Sequence, residues 1–231
     1  PPGHRESLLY LIDDHYWPIE QHLEAANDIQ LMLRSGLVAR NPLSPKEHVR
    51  INRLAISKDA KDVVLQSLRV RAGGGLIMAL TGMGKSTLVD RALSVFAPTQ
   101  VITHSRSEVC GWSTLKQVTH LIIDAPSNAT RAGLLGAIAG GLDAVLHTDY
   151  ATDLRKQKNI DNAVIFVIKI LSIHRVGLIV IDENQKSTLD DNPWRLHYVL
   201  FFLALMNLGV PVLLLGNPAA FSRLRRSAQL L

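Results

Sequence analysis

Residues 78–93, MALTGMGKSTLVDRAL, carry the most specific chemistry in the chain. An apolar run breaks into Gly82-Met83-Gly84-Lys85-Ser86-Thr87 and resumes as an amphipathic helical pattern. Strand, glycine-rich turn ending in Gly-Lys-Ser/Thr, then helix is the order of parts in a phosphate-binding loop. The glycines let backbone N–H groups approach phosphate oxygens at a helix amino terminus, a lysine reaches the β and γ oxygens, and a serine hydroxyl ligates Mg²⁺. Thr81, Gly82, Met83, Gly84, Lys85, Ser86 and Thr87 are the expected nucleotide-binding set, with ATP and Mg²⁺ as cofactors. Where the pattern wants its first glycine the chain has Ala79, which bears only on the entrance to the loop. A glycine-rich turn without a ligand is the alternative, and the flanking strand and helix weigh against it.

A second group follows about a hundred residues later in GLIVIDENQ, residues 177–185. A run of β-forming residues delivers Asp182 and Glu183 to the carboxyl end of a strand, where open α/β sheets bind ligands. Asp182 suits Mg²⁺ through its water shell, and Glu183 suits the orientation and deprotonation of an attacking water. A strand ending in Asp-Glu is by itself more often a solvated turn; its pairing with the phosphate loop makes it a strong signal. A third run, VPVLLLGNP at 210–218, ends in Asn217, placed to sense the γ-phosphate or its water from a neighbouring strand. The expected catalytic set includes Lys85, Glu183 and Asn217. A glutamate after the aspartate, plus a second polar-tipped strand, points to an AAA+ type of hydrolase; a small-molecule kinase would need an arginine-rich lid, and no clear one is present.

These residues need a sheet with one common end. Apolar runs at 76–80, 121–124, 177–182 and 210–215 read as strands, and 85–96, 131–146, 161–174 and 193–208 as helices between them. Continuous rather than alternating apolar strands are what a parallel sheet covered on both faces requires. The expected fold is therefore α/β, a three-layer P-loop sandwich of AAA+ type around a central parallel sheet. Residues 1–70, helical at 19–34 and 60–71 and broken by a Pro42/Pro45 turn, read as a small N-terminal subdomain ahead of an ATPase core at 71–231. Residues 103–117 read as a loop insertion in that core.

The chain of 231 residues carries 25 Lys+Arg against 20 Asp+Glu, a net charge of +5, and its pI near 9.5 gives a weak hint of a polyanionic partner. One cysteine, Cys110, excludes an intrachain disulfide and fits a cytoplasmic setting. The most apolar stretch, 198–208, falls short of the roughly 20 residues a membrane span needs, so no membrane partner is expected. A chain that opens on Pro1 and closes on Leu231 reads as a piece of something longer.

Together GLIVIDENQ, FFLALMNLGVPVLLLGNP (201–218) and ARNP (39–42) resemble TnsC, the AAA+ regulator of Tns-type transposons, with TniB a close relative. The resemblance runs from about Ile12 to Gln229. The phosphate-loop motifs are shared by many ATPases, whereas the RNP segment and the helix-GVPV-strand block are more specific. It implies an ATP-dependent regulator that assembles as a ring or filament around duplex target DNA and links a target-selecting protein to the transposase. Lys85, Ser86, Asp182, Glu183 and Asn217 match family positions one by one. The resemblance places the Arg40–Pro42 loop near the adenine and an intersubunit arginine finger just after RRSAQLL, for which Arg225 and Arg226 are the nearest candidates, and it implies a C-terminal lid that lies outside this chain.

For DNA the expectation rests on DAPSNATRAGLLGAI, residues 124–138. Ser127, Asn128, Thr130 and Arg131 fall at a helix amino terminus, suited to phosphate oxygens, and the matching stretch of the TnsC family faces the ring's pore. Thr148, at the end of the same helix, is a candidate for a second backbone contact. The bland alternative is that these residues cap the helix and remain solvated. Other readings of the whole chain are a different AAA+ or P-loop ATPase and a nucleotide-switched scaffold with negligible turnover.

Overall fold

The structure, a computed structural model, describes residues 17–57, 72–105, 114–126, 130–184, 201–203, 205–207 and 209–218. The expected helix at 60–71, together with Ser127, Asn128, Arg225 and Arg226, lies outside the described residues. Two helices come first, α1 (Glu20–Ala39) and α2 (Pro45–Ile56). Then follow β1 (Gly74–Met78), α3 (Lys85–Phe96), β2 (Val101–His104), β3 (Leu115–Val118), β4 (His120–Asp124), α4 (Arg131–Leu146), α5 (Tyr150–Arg155), α6 (Ile160–Ile173), β5 (Leu178–Asn184) and β6 (Val212–Gly216). Residues 201–203 and 205–207 are helical.

Four strands form one sheet in the order β1-β6-β5-β4, and every neighbouring pair is parallel. Successive residues of a strand face opposite sides, and β5 uses both sides for core. Leu178 and Val180 pack with Ile29 and Leu33 of α1 and with Val89 and Leu93 of α3. Ile179 and Ile181 pack with Leu134 and Ile138 of α4, Val167 and Leu171 of α6, and Phe201 and Leu205. Helices, sheet and helices make three layers, the α/β arrangement expected from unbroken apolar strands. β1 departs from that pattern: among the described residues it pairs only with β6, and Leu76 and Met78 stay 44% and 45% exposed.

Helix α1 shares a core with α3 and the sheet through Ile29 and Leu33. Two expectations need correction. Pro45 does not only break a helix: it occupies the first turn of α2, where a missing N–H costs nothing and a fixed φ helps. Residues 103–117 are not simply a loop, because β2 and β3 pair antiparallel with Val101 opposite Val118 and His104 opposite Leu115.

Candidate nucleotide-binding site

The site is built where the parallel strands end. Ala79 N donates to Gly216 O at 3.2 Å, carrying the β1–β6 ladder one residue past Met78 before the chain turns. Met83 N donates to Leu80 O at 3.3 Å, and Gly82 and Gly84 take φ of 83° and 73°. A side chain at either position would strain the backbone, while the space beside both is open, so the glycines serve conformation rather than clearance. Gly84 is the N-cap of α3, and its carbonyl accepts from Leu88 N at 2.8 Å. Ala79 is not among the positive-φ residues, which explains why the loop tolerates it in place of the pattern's first glycine.

Thr81 through Thr87 therefore form one continuous turn into the first turn of α3, as expected of a phosphate loop. Lys85 Nζ donates to the carbonyls of Ala79 and Leu80, both at 3.0 Å, folding its charge back over the loop it follows. Phosphate oxygens are stronger acceptors for the same ammonium than two neutral carbonyls. Ser86 Oγ donates to Asp182 Oδ2, which joins the head of α3 to the end of β5. Asp182 is buried, at 9% exposure.

Strand β6 lies between β1 and β5, so Asn217, directly after β6, emerges between the phosphate loop and the Asp182 strand. The β5–β6 register shifts between Ile181 and Asn184, across Asp182 and Glu183. Irregularities of this kind re-aim side chains next to active sites. Glu183 lies in β5 beside Asp182; its side chain lies outside the described residues.

Two further carboxylates that the sequence did not single out flank Asp182. Asp124 ends β4 in direct register with Asp182, so both point to the same face of the sheet. Asp90 stands four residues after Ser86 on α3. Asp90 is exposed, and partial desolvation, then the charge of Asp182, raises its carboxyl above the ordinary range. The signals were present: β4 ends in aspartate as β5 does, and spacing of four on a helix marks one face.

Arg40 follows α1 as its C-cap residue. Its side chain is buried, with Nε donating to Gly209 O at 3.5 Å and Nη1 to Leu171 O at 3.4 Å. Both carbonyls precede strands, so Arg40 sits at the amino end of the sheet, roughly 15 Å or more from the phosphate loop at about 3.3 Å per strand residue. Burial, with Arg50 nearby, pulls its guanidinium down to about 9. Thr130 caps α4, accepting from Gly133 N at 3.0 Å. Thr148 Oγ1 donates to Asp143 Oδ1 at 2.7 Å, about 24 Å of helix away from Thr130. Arg131 begins α4 at the carboxyl end of the sheet, the end that carries the phosphate loop, although α4 packs on the opposite face from α3, and its buried Nε has no hydrogen-bond partner.

The arrangement of loop, Ser86–Asp182 bridge and intervening β6 agrees with a family model described as an AAA domain, which matches residues 68–224. The chain belongs to the AAA domain family. The family makes it a P-loop ATPase in general terms. No curated protein matches the chain. The chemistry of this AAA domain's own residues fits the nucleotide the family binds: left-handed glycines open the loop's N–H groups, Lys85 offers an ammonium, and Ser86 with Asp182 offers oxygen donors of the kind Mg²⁺ prefers. No helix among the described residues is long and apolar enough to cross a membrane.

Proposed function

We propose that this AAA domain protein is an ATP-dependent regulator of DNA transposition of the TnsC type. It assembles as a ring or filament on duplex target DNA and passes the choice of target from a selector protein to the transposase. The observation that carries the ATPase part is the placement of β6, which sets Asn217 between the phosphate loop and the Asp182–Glu183 strand end. Lys85 holds the phosphates, Ser86 and Asp182 hold Mg²⁺, and Glu183 takes the proton of the attacking water while Asn217 orients it. Bound Mg²⁺ supplies neutralisation of the charge that develops on the phosphates. The transposition part is supported by the resemblance carried by ARNP and the 201–218 block, by the net charge of +5, and by Arg131 standing at the same end of the sheet as the nucleotide loop.

The test is ATP turnover measured with and without duplex DNA of unrelated sequences. Stimulation by DNA supports the reading. Turnover indifferent to DNA assigns the chain to another class of P-loop ATPase, and tight ATP binding with negligible turnover in both conditions makes it a nucleotide-switched scaffold.

A further inference from the structure

We infer that Asp90 is a positioning residue for the metal of the nucleotide site, an outer carboxylate that favours Mg²⁺-bound nucleotide and opposes the metal-free form. The inference rests on the nucleotide-binding reading above and extends it to a residue outside the phosphate-loop pattern.

The geometry begins with α3. Ser86 and Asp90 are four residues apart on this helix, so their side chains share one face with Cβ atoms about 5–6 Å apart. Ser86 uses that face to reach Asp182. Asp90 therefore stands one helical turn beyond a hydroxyl that touches the buried carboxylate of β5, and the charge of Asp182 reaches it. No hydrogen bond or ion pair joins Asp90 to any described residue, although Arg91 is next to it in sequence. Asp124, level with Asp182 on β4, adds a third carboxylate to the same side of the sheet.

Like charges brought together without a cation oppose folding and oppose the approach of a polyphosphate. A divalent cation beside Asp182 reverses both effects. Asp90 is too far along α3 to displace Ser86 as a ligand; it acts on the cation's field and water shell. A helix-surface aspartate kept only for solubility would show no preference between metal-bound and metal-free nucleotide.

The opposite signs make the test. A fluorescent ATP analogue is titrated into the parent, Asp90→Asn, Asp90→Glu and Lys85→Ala proteins, first with excess chelator and then across a Mg²⁺ series. Asp90→Asn is expected to bind the metal-free analogue at least as tightly as the parent. It should need about three- to tenfold more Mg²⁺ for half-maximal tightening, the scale of one charge acting on a divalent ion across several ångströms of partly solvated protein. Asp90→Glu should restore the parent's Mg²⁺ dependence. An unchanged Mg²⁺ dependence in Asp90→Asn overturns the inference, as does an equal loss of affinity with and without metal. Lys85→Ala separates the two levels: if it loses binding while Asp90→Asn shows no metal effect, only the role of Asp90 fails, and if it binds like the parent the nucleotide site itself is misassigned.

Discussion

Ser86 and Asp182, 96 residues apart in sequence, meet through a hydrogen bond from hydroxyl to carboxylate that ties the first turn of α3 to the carboxyl end of β5. One residue belongs to the phosphate loop and the other to a strand two places away across β6. Their contact is possible only because the sheet is parallel, which brings every strand's carboxyl end to the same rim.

Lys85→Ala is expected to weaken ATP binding by at least about a hundredfold, since a charge-assisted contact to phosphate is lost. The substitution leaves the fold intact, because the lysine's bonds to Ala79 and Leu80 carbonyls lie at the rim rather than in the core. Titration with a fluorescent nucleotide checks it, with circular dichroism confirming the fold. Affinity equal to the parent's would remove the loop from the nucleotide site.

The parts that were legible in the sequence are those whose physics is local. The phosphate loop is contiguous, and α3 and α4 fall at 85–96 and 131–146 as their patterns require. The four core strands were legible because both faces of each central strand need apolar side chains. The β2–β3 ribbon was not: VITH and LKQV are four residues each and partly polar, and their pairing across 105–114 leaves no periodic trace. The burial of Arg40 was also hidden. An arginine after a helix reads as solvated or functional, and only the tertiary fold reveals that its partners are carbonyls 131 and 169 residues away.

Glu183→Gln is expected to retain ATP binding and lose turnover by about 10²-fold or more, because the amide preserves size but cannot accept the proton of water. Steady-state phosphate release alongside nucleotide affinity measures both halves. Turnover within about threefold of the parent would exclude Glu183 as the base.

Gly36→Ala should be strongly destabilising although it lies on a helix, where alanine is ordinarily the better residue. A Cβ there would collide with the backbone carbonyl of Gly177 and stand 2.8 Å from Pro211 Cδ, so α1 would have to lift off the amino ends of β5 and β6. Overpacking against backbone costs about 1–3 kcal/mol and sometimes more. Urea denaturation gives the difference; a stabilised variant would show that α1 does not dock as described.

His174 should make stability fall in acid. Its Nδ1 contacts Lys116 O at 3.0 Å and its Nε2 contacts Tyr150 Oη at 2.6 Å, a pairing that suits the neutral ring with Nδ1 donating and Nε2 accepting. Burial lowers its pKa below the ordinary 6.5. The unfolded chain therefore binds the proton more readily than the folded one, so this contribution is complete above about pH 6.5 and is lost as pH falls from there toward the lowered value. His120, also lowered by burial, adds in the same direction. Denaturation midpoints at pH 5.5 and 7.5 should differ more in the parent than in His174→Gln, and equal differences would remove His174 as a contributor.

Arg131→Ala addresses the DNA reading. Arg131 opens α4, a 16-residue helix whose amino terminus carries the positive end of its dipole, and Thr130 already caps that end through Gly133 N. With the cap satisfied by threonine, the arginine is not needed to start the helix; the DNA reading gives its guanidinium a backbone phosphate as partner. Backbone tracking of this kind releases counterions for each phosphate neutralised, so binding should be steeply salt-dependent and indifferent to sequence. The substitution should weaken duplex binding on unrelated sequences and reduce the slope of log K against log salt by roughly one unit. Binding measured at several salt concentrations with a non-hydrolysed ATP analogue decides it. An unchanged slope and affinity would take Arg131 out of the DNA contact and move the search to the β2–β3 ribbon, where Lys116 is exposed on β3.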